Sequence, residues 1–142
     1  VADWKRIGCA VDFSEGARAA FLEASDLARR SGATLVLLHA EETPGVTDIP
    51  PPASVVEATR RELSARLAEW KAEAEAALGR TVEASMFPGP AAPSLARAAA
   101  EEHLDLLVTG THGRRGFRHL VLGSVAERLV HLAPCAVLVV RS

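Results

Sequence analysis

Residues Lys5–Ala40 read KRIGCAVDFSEGARAAFLEASDLARRSGATLVLLHA, and the fold turns on how this stretch divides. Lys5–Asp12 (KRIGCAVD) is a short, mostly apolar run of the length of a buried strand. Ser14 stands where an N-cap belongs. Ala17, Ala20, Phe21, Ala24, Leu27 and Ala28 then recur at helical spacing, and Ser31-Gly32 supplies the stop. Ala33–Ala40 (ATLVLLHA) is a second strand, apolar on both faces as a central parallel strand would be. Strand, helix, strand in that order predicts a crossover connection between parallel strands.

The same alternation continues outward. After the proline-rich loop Glu41–Ser54 comes the longest predicted helix, Ala53–Leu78, with Val56, Leu63, Leu67, Trp70, Ala74 and Ala77 on one face and Gly79 just past its end. Thr81–Phe87 alternates as a strand does, with Val82, Ala84 and Met86 on one side. A helix over Ala91–Glu102, started near Pro90 or Pro93, precedes a fourth strand at Leu104–Thr109. Ser124–Leu132 reads as the last helix and Cys135–Val140 as the fifth strand. This order predicts an α/β fold: an open, doubly wound, five-stranded parallel sheet with helices on both faces. If the chain winds outward from the first strand and returns on its other side, the strand order is 3-2-1-4-5. A ligand then belongs in the crevice between the first and fourth strands, beyond their carboxyl ends, where Asp12 and Gly110 would meet.

Length and composition narrow the function. The 142 residues suit one domain, residues 1–142, and the 49% hydrophobic and 24% charged fractions are those of a folded chain. A net charge of −2 argues against nucleic-acid or membrane binding driven by overall charge, so an anion site must be local. No apolar run approaches the roughly 20 residues that span a bilayer. The N-terminal VADWKRIGCAVD lacks the apolar core of a secretory signal, so a cytoplasmic protein is expected. Cys9 and Cys135 fit neither a disulfide framework nor a zinc site, and the five histidines show no metal-ligand spacing. In the 3-2-1-4-5 order the two thiols lie two strands apart, about 9–10 Å. That exceeds the roughly 7 Å that a disulfide tolerates between Cα atoms.

The chemistry concentrates in Leu104–Ser124, LDLLVTGTHGRRGFRHLVLGS. A predicted strand ends at Gly110, a basic glycine-punctuated loop follows, and Gly123-Ser124 opens a helix. Backbone that must approach phosphate closely needs residues without a Cβ, and phosphate needs N–H donors and positive charge. Gly110 would let the chain turn off the strand, Gly113 would let amides approach the phosphates, and Gly123 would clear space before the Ser124 and Val125 N–H groups. Arg114 directly follows Gly113 and is the favoured phosphate neighbour, although Arg114, Arg115 and Arg118 could equally solvate an exposed loop. Ser124-Val125-Ala126-Glu127 is also a capping box, so the Ser124 hydroxyl has either a helix cap or a phosphate to serve. Asp12 could hold ribose hydroxyls or a metal-bound water, or could close an Asx turn before the first helix. His112 and His119 could serve as phosphate donors or as acid–base groups, whereas His39 reads as a satisfied core histidine.

Gly110-x2-Gly113-x9-Gly123-Ser124 resembles the ATP-binding signature of the universal stress protein family. VDFSEGARAAFLEASDLARRSGATLVLLHA resembles that family's first strand, helix and second strand, and GSVAERLVHLAPCAVLVV its last helix and strand. One departure is Ala136, where the family commonly has proline. The resemblance implies the 3-2-1-4-5 sheet of the adenine nucleotide alpha hydrolase-like fold, homodimerisation, and bound ATP with Mg²⁺ or Mn²⁺ carried on the phosphates. It also implies a nucleotide pocket lined by Asp12, with Ala10 and Val11 beside it and the Ala40 backbone at the adenine edge. The apolar last strand, Ala136–Val140, is an edge that pairing with a second copy would cover.

A regulatory protein that binds ATP in a stress response is therefore the leading expectation, with slow hydrolysis or none. There is no GxxxxGK[ST] pattern, and Leu104–Ser124 contains no lysine. An adenylyl-transferring or slow ATP-hydrolysing enzyme of related architecture is the alternative. A flavin-carrying module would be yellow, and a phosphorylated receiver would want more acids than Asp12 at the first strand.

Overall fold

The computed structural model describes residues 3–42, 49–112 and 122–142. Its elements run β1 (Arg6–Ala10), α1 (Glu15–Ser31), β2 (Thr34–Glu41), α2 (Ala53–Leu78), β3 (Glu83–Pro88), α3 (Ala91–Glu101), β4 (Leu106–Gly110), α4 (Ser124–Leu132) and β5 (Ala136–Val140). All pairings are parallel and the sheet order is β3-β2-β1-β4-β5, as the alternation of elements predicts. Strand bounds move by one to two residues from expectation, and β5 starts at Ala136 rather than Cys135.

The two-faced apolarity of β2 is used in full. Leu35 and Leu37 enter one core with Ile7, Cys9, Val108 and residues of α1 and α2, including Phe21, Leu67 and Ala74. Val36 and Leu38 enter the other with Ala10, Leu107, Leu95 of α3 and Leu129 of α4. The period-two alternation of a strand sends neighbours to opposite faces, so a run without polar residues has to be covered on both. Gly8 faces the second core so closely that a Cβ there would collide with the Leu104 side chain.

Both ends of α1 and the carboxyl end of α2 follow the sequence signals. Ser14 caps α1, accepting from Ala17 N–H at 3.1 Å, and Gly32 and Gly79 close α1 and α2 in the left-handed conformation at φ 78° and 72°. The predicted face of α2 is corrected: only Leu67 and Ala74 are buried, while Val56 and Ala77 are exposed. Its 26 residues span about 39 Å, whereas β2, its longest strand neighbour, has 8 residues and covers about 27 Å, so the start of α2 projects past the sheet. Among the described residues no helix is long and apolar enough to cross a membrane. Both cysteines are free, as the two-strand separation requires.

Candidate functional site

The direction of winding reverses at β1 and β4, which pair in register through Cys9 and Val108. Two residues further along each strand lie Val11 and Gly110, at the carboxyl end where a doubly wound sheet takes ligands. Val11 is fixed there from two sides: its N–H donates to Leu38 O at 2.8 Å, and its carbonyl meets His39 Nδ1 at 2.7 Å. His39 is thus a buried core histidine with a partner, as expected. Ala10 and Ala40 both belong to the core under α3 and α4, Ala40 half-buried at the end of β2.

Beyond Val11 the chain makes a constrained turn. Asp12 Oδ1 accepts from Ser14 N–H at 3.0 Å and from the Ser14 hydroxyl, which is the Asx turn foreseen as one of its two roles. The acid therefore fixes the N-cap of α1 through Ser14. Phe13 between them adopts φ 64°, a left-handed conformation unfavourable for a bulky residue. Its ring is held by His39 at 5.0 Å, by Trp70 edge-on at 5.4 Å and by the Arg66 guanidinium at 4.6 Å. Contacts from β2 and α2 thus stabilise the unusual backbone that presents Asp12.

Two predicted glycines meet at the mouth of β4. A Cβ on Gly110 would lie 2.6 Å from Gly16 O, and one on Gly123 would lie 2.5 Å from Thr111 O. Gly123 N–H donates to that same oxygen at 2.6 Å, and Thr111 N–H donates to Val140 O at 3.1 Å. The reason for Gly110 is corrected here: it does not have a positive φ, and close approach of backbone is what excludes a side chain. Gly16 was not foreseen. The available signal was a glycine in the first turn of an alanine-rich helix, where it costs about 1 kcal/mol relative to alanine unless packing requires it.

The capping box is also corrected. Gly123, not Ser124, is the N-cap of α4, and as a glycine it has no side chain with which to cap the helix. Ser124 is the exposed first helical residue and Val125 the second, so their amides lie in the first turn, where a helix makes no i to i−4 bond, and the Ser124 hydroxyl does not stand at the cap. An anion suits such donors, which fits a phosphate group at this position. Gly113, Arg114, Arg115, Arg118 and His119 lie outside the described residues, as do residues 43–48 of the loop after β2. Among the described residues no three His, Cys, Asp or Glu side chains gather as a metal site.

The electrostatics at this end are set by burial. The Cys9 thiol is pushed far up by desolvation, with the Asp12 charge adding to the effect, so it stays protonated and inert. Two surface depressions lie beside β3, one of about 400 Å³ near Ser85, Phe87 and Arg97 of α3, the other of about 550 Å³ near Met86 and Glu57, Arg60 and Arg61 of α2. The crevice between β1 and β4 is the candidate site because it gathers the constrained backbone of Phe13, Gly16, Gly110 and Gly123.

Residues 3–141 match the model of the universal stress protein family. A universal stress protein of Thermus aquaticus, from the 3′ region of the QAH/OAS sulfhydrylase gene, is 37% identical over 139 residues, covering 97% of this chain and 99% of its own. Universal stress protein UspA from Lactobacillus plantarum superimposes with a TM-score of 0.86 at 24% identity, covering 99% of this chain and 100% of its own. A universal stress protein in complex with cAMP superimposes with a TM-score of 0.71 at 26% identity, covering 99% and 98% respectively. The chain belongs to the universal stress protein family.

Proposed function

We propose that this protein binds an adenine nucleotide, ATP first among them, in the crevice between β1 and β4, and acts as a nucleotide-responsive regulator in a stress response. The observation that carries the reading is the convergence of Asp12's turn, Gly110 and Gly123 beside a helix start whose N-cap is a glycine. A relative that holds cAMP supports an adenine nucleotide as the ligand class. In this reading the amides of Ser124 and Val125 receive the phosphates, with Gly113 and Arg114 contributing from the preceding loop. Asp12 addresses the ribose, Ala10 and Val11 form the adjacent wall, and the Ala40 backbone meets the base.

A divalent cation, Mg²⁺ or Mn²⁺, would be carried on the phosphates and neutralise their charge. Hydrolysis is slow or absent, because Leu104–Ser124 offers arginine but no lysine. The protein works in the cytoplasm, a reducing setting that suits its free thiols. Two copies pair through the β5 edge, where Val137, Leu138, Val139 and Val140 are only half-buried.

Titration calorimetry with ATP, with and without Mg²⁺, tests the reading. Binding should be in the micromolar range, about −8 kcal/mol, and Asp12→Ala should weaken it while the fold is retained. Inorganic triphosphate bound as tightly as ATP would refute the ribose role, and no binding of any adenine nucleotide would refute the function.

A further inference from the structure

The geometry points to Gly16 as a positioning residue for the phosphates, a role that rests on the nucleotide reading above. Gly16 lies in the first turn of α1, yet its backbone is pressed against the exit of β4. A Cβ on Gly16 would collide with the His112 carbonyl oxygen and lie 3.4 Å from the His112 carbonyl carbon. From the opposite direction, a Cβ on Gly110 would lie 2.6 Å from Gly16 O, 2.7 Å from Gly16 C and 3.1 Å from Gly16 Cα. Residues 16 and 110–112 therefore touch backbone to backbone on two sides, and no side chain can rotate away to make room.

Neither partner can yield cheaply. The first turn of α1 is pinned by Ser14, which caps it, and Ser14 is pinned by Asp12. On the other side, Thr111 is tied to β5 through Val140 O and accepts from Gly123 N–H, the residue that starts α4. Any side chain at position 16 has to move His112, and a shift of His112 passes through Thr111 to Gly123. The missing Cβ of Gly16 thus sets the distance between the turn that carries Asp12 and the amides at the head of α4. A nucleotide spanning both needs that distance fixed, and a nucleoside without phosphates does not.

The test compares the parent chain with Gly16→Ala and Gly16→Ser in calorimetric titrations of ATP and of adenosine, with amide hydrogen exchange at Thr111 and Gly123 as a second readout. Both variants should lose about tenfold or more in ATP affinity. Adenosine affinity should change by less than about twofold, and the Gly123 amide should exchange faster. Alanine and serine add the same Cβ but differ in helix propensity, so equal losses identify the contact rather than the helix as the cause. Variants that bind ATP like the parent overturn the role. So do variants that lose ATP and adenosine alike, or that leave exchange at Gly123 unchanged. A parent that binds no nucleotide overturns the function itself and this role with it, an outcome distinct from a binding parent matched by its variants.

Discussion

Replacing Gly123 by alanine separates close approach from conformational freedom as the reason for a glycine. Gly123 has φ −71° and ψ 160°, a backbone that alanine adopts without strain. In open space the change would stabilise by roughly 0.4–1 kcal/mol through the unfolded chain, offset by a loss of similar size because alanine is a poorer N-cap. The contact therefore decides the sign. A Cβ here would stand 2.5 Å from Thr111 O and 3.3 Å from His112 Cα, all of it backbone. Ordinary contact begins at 3.4 Å, so an opening of about 0.9 Å or more is required. The same opening stretches the 2.6 Å bond from Gly123 N–H to Thr111 O past useful length, in a place where both residues are buried. Losing that bond with its groups kept from water costs about 2–3 kcal/mol. Unfolding entropy near 2.1 cal/mol/K per residue makes each kcal/mol about 3–4 °C for a domain of 142 residues. Gly123→Ala should thus lower the midpoint of thermal unfolding by about 7–10 °C, measured by circular dichroism or scanning calorimetry, and should abolish ATP binding in the same preparation. An unchanged or raised midpoint would show that the approach of Gly123 to Thr111 is looser than described, and the cradle argument would fall with it.

Two further outcomes follow from titrating groups. The Asp105 carboxylate accepts from Arg6 N–H and Lys5 N–H at 2.9 and 2.8 Å, and these bonds hold it below the usual aspartate range. Its stabilising contribution is present above the unfolded-state value and is lost as pH falls through the depressed native one, so Asp105→Asn should lower stability at neutral pH and flatten the decline below about pH 4 in denaturant titrations. For Cys9 the direction is reversed: burial raises the thiol, so its contribution is present below the unfolded thiol value and is lost at high pH. In the native protein at neutral pH a thiol reagent should label half-buried Cys135 first and Cys9 only at the rate of unfolding, and a single common rate for both would contradict the burial of Cys9.

Much of the fold was legible because each strand announces itself twice. β2, for instance, is apolar at every position from Leu35 to Leu38 and is bounded by Gly32 before it and prolines after it, which leaves a central parallel strand as the consistent assignment. The extent of the α2 contact was not legible, since alanine-rich periodicity identifies a face but not where the sheet beneath it ends. Val56 continues the apolar face of Leu67 and Ala74 in sequence and is nonetheless in solvent. The Ser124 cap failed for a related reason. The pattern Ser-x-x-Glu fits a capping box, but the helix start is set by a tertiary bond from Gly123 N–H to Thr111 O, which moves the cap one residue earlier.

The glycines show where reading a sequence stops. Gly32 and Gly79 have positive φ and would present a Cβ to open space, so conformation alone requires them. Both follow a helical run in the sequence, and both were recognisable from that position alone. Gly16, Gly110 and Gly123 form the opposite class: none has positive φ, and each is excluded from carrying a side chain by another segment's backbone. Those segments are far away in sequence, Gly16 from Gly110 and His112 most of all, so no local pattern encodes the contact. Gly110 and Gly123 were found through a motif rather than through their physical cause, and Gly16, which lies outside the glycine signature, was missed. Phe13 belongs with them, because its left-handed backbone is held by His39, Trp70 and Arg66 rather than by any property of phenylalanine. The crevice is thus assembled from residues whose identity makes sense only once β1, α1, β4 and α4 have come together. Its geometry is a product of tertiary contact, and substitutions there should disturb ligand binding before they disturb the sheet.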